Sequence, residues 1–363
     1  MAMRLRDSIP VRLAIGVVLT WYFGGCRDSN PECGNNPVQT TALGLGGMQI
    51  IALQVDGNFL YACGGRKGLW KKPVDGPGPW NVIGFFGRSS AVGDAPGVVD
   101  IDASGNDILI LYSVAGATQY DSSLAGIWRS RNAGGIFIRS DSGIINGDGD
   151  PSHIISHVAR SRLNPSIGVA VHGATFRTTD GGDHWVPTSS FIPDAGPLEL
   201  LSWDSDKELD VWFYGQTGLM ENHVSHSADG GASWAYVTSF PQLGAEEPSI
   251  PLFRSMAFDA KNKHVMYAEA PYLLKSTDGG STWFLPTGIP TVSVHPIISD
   301  PNWANRVYQV VGRAVYLSID GGESMRLLAQ SNSVIQAVAV DAQSGDIYLG
   351  TNSGVEMITG LTP

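Results

Sequence analysis

Four side chains of this chain are the first candidates for chemistry: Asp121, Glu221, Glu246 and Arg254. Two carboxylates facing one cavity, one protonated and one ionised, can hydrolyse a glycosidic bond, and an arginine beside them would orient an acidic sugar. Arg254 stands in the apolar run 250–258, which reads as an inner strand, where a charge needs a partner or water. Asp121 follows Tyr120 in the long segment 113–126, and Glu221 and His223 share the segment 215–224. Glu246 and Glu247 are adjacent, so in extended chain they point apart and form no ready dyad. Tyr120, Asp121, Glu221, His223, Arg254, His295 and Arg313 make up the candidate binding set. Each also has a plain reading, as solvated loop decoration or, for His295, as a structural histidine.

Signals for bound groups are thin. Asn146-Gly147-Asp148-Gly149-Asp150 imitates the start of a calcium loop, but its twelfth position is His157 and Pro151 stands where Gly is needed. No Cys–His spacing suggests zinc, and no phosphate loop, serine elbow or dinucleotide fingerprint is present. No metal and no cofactor are expected; a structural calcium ion is the one alternative. With 23 Lys and Arg against 34 Asp and Glu, the net charge of −11 argues against nucleic acid.

What must hold these side chains is a repeat. Ser276-Thr277-Asp278-Gly279-Gly280-Ser281-Thr282-Trp283 recurs around Asp229 with Trp234 and around Asp180 with Trp185. Weaker copies surround Asp320, Asn132 and Asp75. Positions 75, 132, 180, 229, 278 and 320 are separated by 57, 48, 49, 49 and 42 residues, a propeller-like period. Asp-Gly-Gly between apolar runs is a hairpin turn: Gly takes positive φ, the carboxylate accepts turn amides, and the Trp starts the next strand. Three apolar strands precede each box. A last unit from Ala337 to Ile358 has three strands and no box, so the segment 38–43 is expected to supply its fourth strand and close the ring. An all-β, seven-bladed propeller of four-stranded antiparallel blades is predicted, with six blades as the alternative.

These boxes resemble the Asp-box (BNR) repeat of β-propellers, over about residues 38–358. Relatives of that type include sialidases, sortilin-type receptors, two-propeller xyloglucanases and a photosystem assembly factor. The resemblance implies that the boxes lie opposite the ligand face, so Asp75, Asn132, Asp180, Asp229, Asp278 and Asp320, with Trp185, Trp234 and Trp283, are structural. Segments between second and third strands, and between units, would then build the ligand face. The sialidase Phe/Tyr-Arg-Ile-Pro element has only Leu252-Phe253-Arg254-Ser255 to match it, late in the chain and without Ile-Pro.

The first 25 residues read as an export signal: Arg4, Arg6 and Arg12 precede the apolar stretch 13–23, which is too short to span a bilayer. Phe23-Gly24-Gly25-Cys26 resembles a bacterial lipoprotein processing site, with Cys26 the lipidated residue and Phe23 where Leu is usual. An ordinary secretory signal or an uncleaved anchor is the alternative. Residues 26–37 form a polar tether and 38–363 a single propeller domain. Cys33 and Cys63 would remain to form one disulfide, or stay as two thiols. The leading expectation is a monomeric, non-catalytic binding or scaffolding module for a protein or glycan at the cell envelope, touching the membrane only through its lipid. A glycoside hydrolase and an assembly factor for a membrane complex are the alternatives.

Overall fold

The computed structural model describes residues 37–65, 67–76, 78–84, 97–113, 125–144, 155, 157–171, 174–188, 200–203, 207–216, 222–239, 255–269, 273–286 and 296–359. Twenty-seven strands occur among them and no helix. After β1 (Thr41–Gly44), the chain lays down antiparallel blades in sequence order. Blade 1 is β2 (Ala52–Asp56), β3 (Phe59–Cys63), β4 (Leu69–Pro73) and β5 (Asn81–Val82). Blade 2 is β6 (Gly97–Ser104), β7 (Asp107–Ser113), β8 (Gly126–Ser130) and β9 (Ile138–Arg139). Blade 3 is β10 (His157–Arg160), β11 (Gly168–Val171), β12 (Thr175–Thr178) and β13 (Val186–Pro187). Blade 4 is β14 (Leu200–Trp203), β15 (Val211–Gln216), β16 (Asn222–Ser227) and β17 (Ala235–Ser239).

Blade 5 is β18 (Ser255–Phe258), β19 (Met266–Glu269) and β20 (Leu273–Ser276). Among the described residues its outer edge is a single bridge, in which Lys275 and Phe284 exchange two backbone hydrogen bonds of 2.9 Å. Blade 6 is β21 (Ile297–Ser299), β22 (Val307–Val311), β23 (Ala314–Ser318) and β24 (Arg326–Gln330). Blade 7 is β25 (Ile335–Val340), β26 (Ile347–Thr351) and β27 (Gly354–Ile358), with β1 as its outermost strand. Seven blades replace the six-blade alternative.

Ring closure follows the sequence reading with a small shift. β1 pairs antiparallel with β27, Thr41 opposite Met357 and Ala42 opposite Glu356. The segment starts earlier than β1 does because Val38 is drawn to the neighbouring blade, where its amide donates to the Leu328 carbonyl at 2.7 Å. One length of chain thus ties blade 7 to blade 6 and completes blade 7. Trp80 of blade 1 adds a third tie, its indole N–H donating to the Leu43 carbonyl at 3.0 Å.

Side chains alternate between the two faces of each strand, and because both faces of a blade are covered, strands such as Gly168–Val171 and Ile347–Thr351 are buried at every position. The core is therefore a ring of separate clusters, one at each seam between consecutive blades. At the seam of blades 2 and 3, Leu109, Ile127, Ala170, Phe176 and Trp185 pack together. At the seam of blades 7 and 1, Tyr348 and Val355 meet Leu60 and Ala62. Each blade is held by its two neighbours, so the ring is the smallest stable unit.

Candidate functional site

The two ends of the ring are built differently. At one end lie the turns between first and second strands and the boxes between third and fourth. The boxes share one hydrogen-bond pattern. In blade 5 the Ser276 hydroxyl donates to Asp278 at 2.9 Å and accepts the Gly280 amide at 2.8 Å. The same carboxylate accepts the Thr282 amide at 2.8 Å and the Thr282 hydroxyl at 2.6 Å. Asp229 and Asp320 repeat this with Ser233 and Ser324. Asn132 does so with its amide oxygen, and at Asp180 a histidine, His184, replaces the last hydroxyl at 2.8 Å. Trp185 and Trp283 turn back to donate to Gly182 and Gly280 carbonyls. The box carboxylates spend their bonds inside the turn, while Trp185 also donates across the seam to the Ser140 carbonyl at 2.7 Å.

The residue just before the box Ser or Thr reaches across the seam. Arg129 donates to Asp107 of its own blade and to the Asp180 carbonyl of the next blade's box at 2.8 Å. Arg177 donates to the Gly230 carbonyl at 2.9 Å, and Lys275 lies 3.6 Å from Glu323. His226 instead bonds Asp210 at 2.5 Å and stacks on Trp212, with centroids 4.2 Å apart. Burial pushes the Asp107 carboxyl up, but the Arg129 hydrogen bond and the Arg160 and Arg129 charges outweigh it and hold the group below the usual range. Asp210 is lowered in the same way, burial being outweighed by Lys207 and His226.

The inner wall of the ring carries a second polar set. Gln54 of β2 zips onto β6 by two bonds to the Ala103 backbone, of 2.8 and 3.0 Å. Asp100 of β6 faces His157 of β10 at 3.0 Å. Asp102 receives Arg160, which is buried and also reaches Asp107 at 3.0 Å. Cys63 is a fully buried free thiol at the end of β3; burial, aided by the Asp100 charge, pushes it well above its ordinary value. The wall thus holds Asp–His and Asp–Arg pairs, each carboxylate opposite a base.

Tyr120, Asp121, Glu221, Glu246, Arg254 and His295 lie outside the described residues, as do Cys26 and Cys33. His223 lies in β16, opposite Gly215 and Ser239. Arg313 lies in the turn between β22 and β23, at the end opposite the boxes, and its carbonyl accepts the Ser331 amide at 2.8 Å. The structure thus keeps Arg313 and His223 on different blades. Sequence reasoning missed Asp100, Asp102 and Arg160, whose signal was two aspartates at alternate positions of an otherwise apolar strand. Among the described residues no group of His, Cys, Asp or Glu could hold a metal ion. A cavity of about 330 Å³ is lined by Trp203, Phe258, Lys261, Lys263 and Asp300.

No family model matches the sequence. The photosystem II assembly lipoprotein Ycf48 of Synechococcus sp. (strain CC9902) is 35% identical over 107 residues, 29% of this chain and 28% of that protein. A xyloglucanase of Paenibacillus sp. is 31% identical over 206 residues, 49% of this chain and 20% of that protein. The matched stretches therefore span about a quarter and a fifth of these relatives' own lengths. Among solved structures, Ycf48 bound to a D1 peptide aligns over 90% of this chain and 97% of that one, with TM-score 0.62 and 14% identity. Ycf48 from Cyanidioschyzon merolae aligns over 88% and 98%, with TM-score 0.60 and 12% identity. An ancestral GH74 enzyme aligns over 88% of this chain and 45% of its own, with TM-score 0.55 and 14% identity. At such identities the likeness carries the propeller fold and nothing finer.

Proposed function

We propose that this chain is a binding or scaffolding propeller of the Asp-box type, exported and lipid-anchored through Cys26, and that its ligand is a protein held at the end opposite the boxes. Residues 1–25 would be removed, 26–37 would tether, and 38–363 would bind. The observation that supports a binding role is the inner wall: Asp100, Asp102 and Asp107 each stand against His157, Arg160 or Arg129. Carboxylates set against cationic side chains in this way hold neighbouring strands together. A protein ligand draws support from the relative named as an assembly lipoprotein and from the solved likeness that carries a peptide. The same relative supports the narrower reading of an assembly factor for a membrane complex.

The second reading is a glycoside hydrolase, favoured by the match of half the chain to a xyloglucanase. It would draw its carboxylates from Asp121, Glu221 or Glu246, with Arg254 orienting the sugar. One pair of assays separates the two. A photocrosslinking residue at Ser353, at the end opposite the boxes, should capture an envelope protein in cells, whereas one at Ser281 in a box should not. Incubation of the full chain with xyloglucan, sialosides and neutral polysaccharides should release no sugar. Turnover that disappears on neutralising Glu221 or Glu246 would overturn the binding reading.

A further inference from the structure

The inner wall changes character around the ring. The first strands of consecutive blades abut from blade 7 through blade 1 to blade 6. Across blades 1 to 3 they present Gln54, Asp100, Asp102, His157 and Arg160, which pair with one another or bond the neighbouring backbone. Across blades 4 to 6 the same strands are mainly apolar: β14 ends on Trp203, β18 carries Met256 and Phe258, and β21 carries Ile297 and Ile298. Trp203, Met256, Phe258 and Ile298 are only half-buried. They line the cavity of about 330 Å³, which lies at the end of the ring that carries the boxes. The polar wall satisfies itself, whereas an apolar wall facing a cavity gains by being covered.

A second, independent feature is the charge above that wall. The turn from β18 to β19 reads Asp259-Ala260-Lys261-Asn262-Lys263-His264, and both lysines line the cavity. No other turn between a first and a second strand carries two Lys or Arg residues. Those of blades 1, 2 and 7 carry none, and blade 3 has Arg162 alone. In blade 4, Lys207 is paired with Asp210 at 2.6 Å, and in blade 6, Arg306 lies 3.7 Å from Asp300 and over the Trp303 ring. The nearby carboxylates are engaged inside the fold. Asp259 accepts the amides of Lys261, Asn262 and Asn305, at 2.9, 3.0 and 2.5 Å. Asp300 accepts the Asn302 amide at 2.8 Å and the Tyr308 hydroxyl at 2.7 Å. Both aspartates are buried, whereas Lys261 is exposed, a cation at the mouth of an apolar cavity in a chain of net charge −11.

We propose that this cavity binds a small anionic amphiphile, a carboxylate or phosphate head on an unbranched hydrocarbon tail. The tail covers Trp203, Met256, Phe258 and Ile298, and the head meets Lys261 and Lys263. An inorganic anion would leave the apolar wall bare, and a neutral hydrocarbon would make no use of the lysines. A free fatty acid and a monoacyl phosphate share this chemistry. The site lies at the box end, away from the end assigned to a protein ligand, so it stands or falls independently of that reading.

The test titrates the full chain by calorimetry with decanoate and, separately, with decyl phosphate, each below its micelle concentration. Saturable binding of at least one is expected. Octanoate should bind about tenfold more weakly than decanoate, because two CH₂ groups fewer are covered. Lys261→Glu, at an exposed position, should weaken decanoate about fivefold or more. Ala260 also lines the cavity, and Ala260→Trp should fill it and abolish binding. The apolar stretch 13–23 would hold tails without regard to residue 260, so the site is read from the difference between wild type and Ala260→Trp. Binding of decanoate alone assigns the head to a carboxylate, and binding of decyl phosphate alone assigns it to a phosphate. The proposal is overturned if neither binds, or if decyltrimethylammonium binds as tightly as decanoate. It is also overturned if a folded Ala260→Trp or Lys261→Glu chain binds as the wild type does. Circular dichroism of each variant separates lost binding from lost fold.

Discussion

Arg129 grips Asp107 with two hydrogen bonds, of 2.9 and 2.5 Å, while its third arm donates to the Asp180 carbonyl of the following blade. The guanidinium is therefore a clamp between blades: its fork fits one carboxylate, and its remaining N–H groups satisfy a box turn and Asp183. The side chain is 7% exposed and that of Asp107 26% exposed, so the pair is screened much less than a surface ion pair.

Arg129→Met keeps the stem and removes the charge. It leaves Asp107 facing Arg160 alone and should cost about 2–3 kcal/mol. Urea unfolding should show a lower midpoint with an unchanged slope. The pH dependence has a definite sign. Asp107 is depressed in the folded state, so its contribution is present above the unfolded value and lost as pH falls through the folded one. The gap between wild type and Arg129→Met should be full at neutral pH and close below about pH 4. A gap independent of pH would show that packing of the stem, not the ion pair, holds the seam.

Gly181→Ala tests the other side of the clamp. Gly181 has φ +76°, and a Cβ there would lie 2.4 Å from an Arg129 nitrogen. Gly105→Ala is the control: φ is +61° and nothing lies within 4 Å of its Cβ position. The control should cost about 1–2 kcal/mol of backbone strain, and Gly181→Ala at least about 1 kcal/mol more. Equal losses would mean that the guanidinium moves aside freely.

The boxes were legible because their bonds are local: Ser276, Asp278 and Thr282 satisfy one another within seven residues. Ring closure was legible because a last unit with three strands leaves an edge to cover. The clamps were not, since Arg129 and Asp180 lie 51 residues apart. A trace was present, in that a basic residue directly precedes the Ser or Thr of the boxes at Asn132, Asp180, Asp229 and Asp278. Asp100 and His157 were missed for the same reason, as their meeting depends on how two blades turn against each other. The candidates Asp121 and Glu221 rested on the length of their segments and the end of the ring those would occupy, and neither carries facing geometry.

Trp80→Ala should loosen the closure before the ring. It removes the bond to Leu43 and the indole packed against the core of the seam between blades 7 and 1. The loss expected for a half-buried tryptophan is about 2–3 kcal/mol. Amide exchange in β1 and β27 should accelerate more than exchange in β11 or β22. Uniform acceleration would mean that the ring opens only as a whole.

Asp346→Asn tests the charges at the seam of blades 7 and 1. Its carboxyl is raised by burial and by Asp341 and Asp75, so the folded state prefers it protonated. For a folded-state value above the unfolded one, the contribution is full below the unfolded value and lost as pH rises through the folded one. Removing the ionisable group should therefore stabilise the chain at neutral pH, by less than about 1 kcal/mol at this partly exposed position. The gain should vanish below about pH 4, where aspartate is neutral in both states. Asp107→Asn should do the reverse, destabilising at neutral pH because it takes the shared carboxylate from Arg129 and Arg160. Two aspartates at one register position would then respond with opposite signs, and the difference would lie in whether a cation faces them. If Asp346→Asn destabilises at neutral pH, the carboxylate is already paired with a cation of the chain.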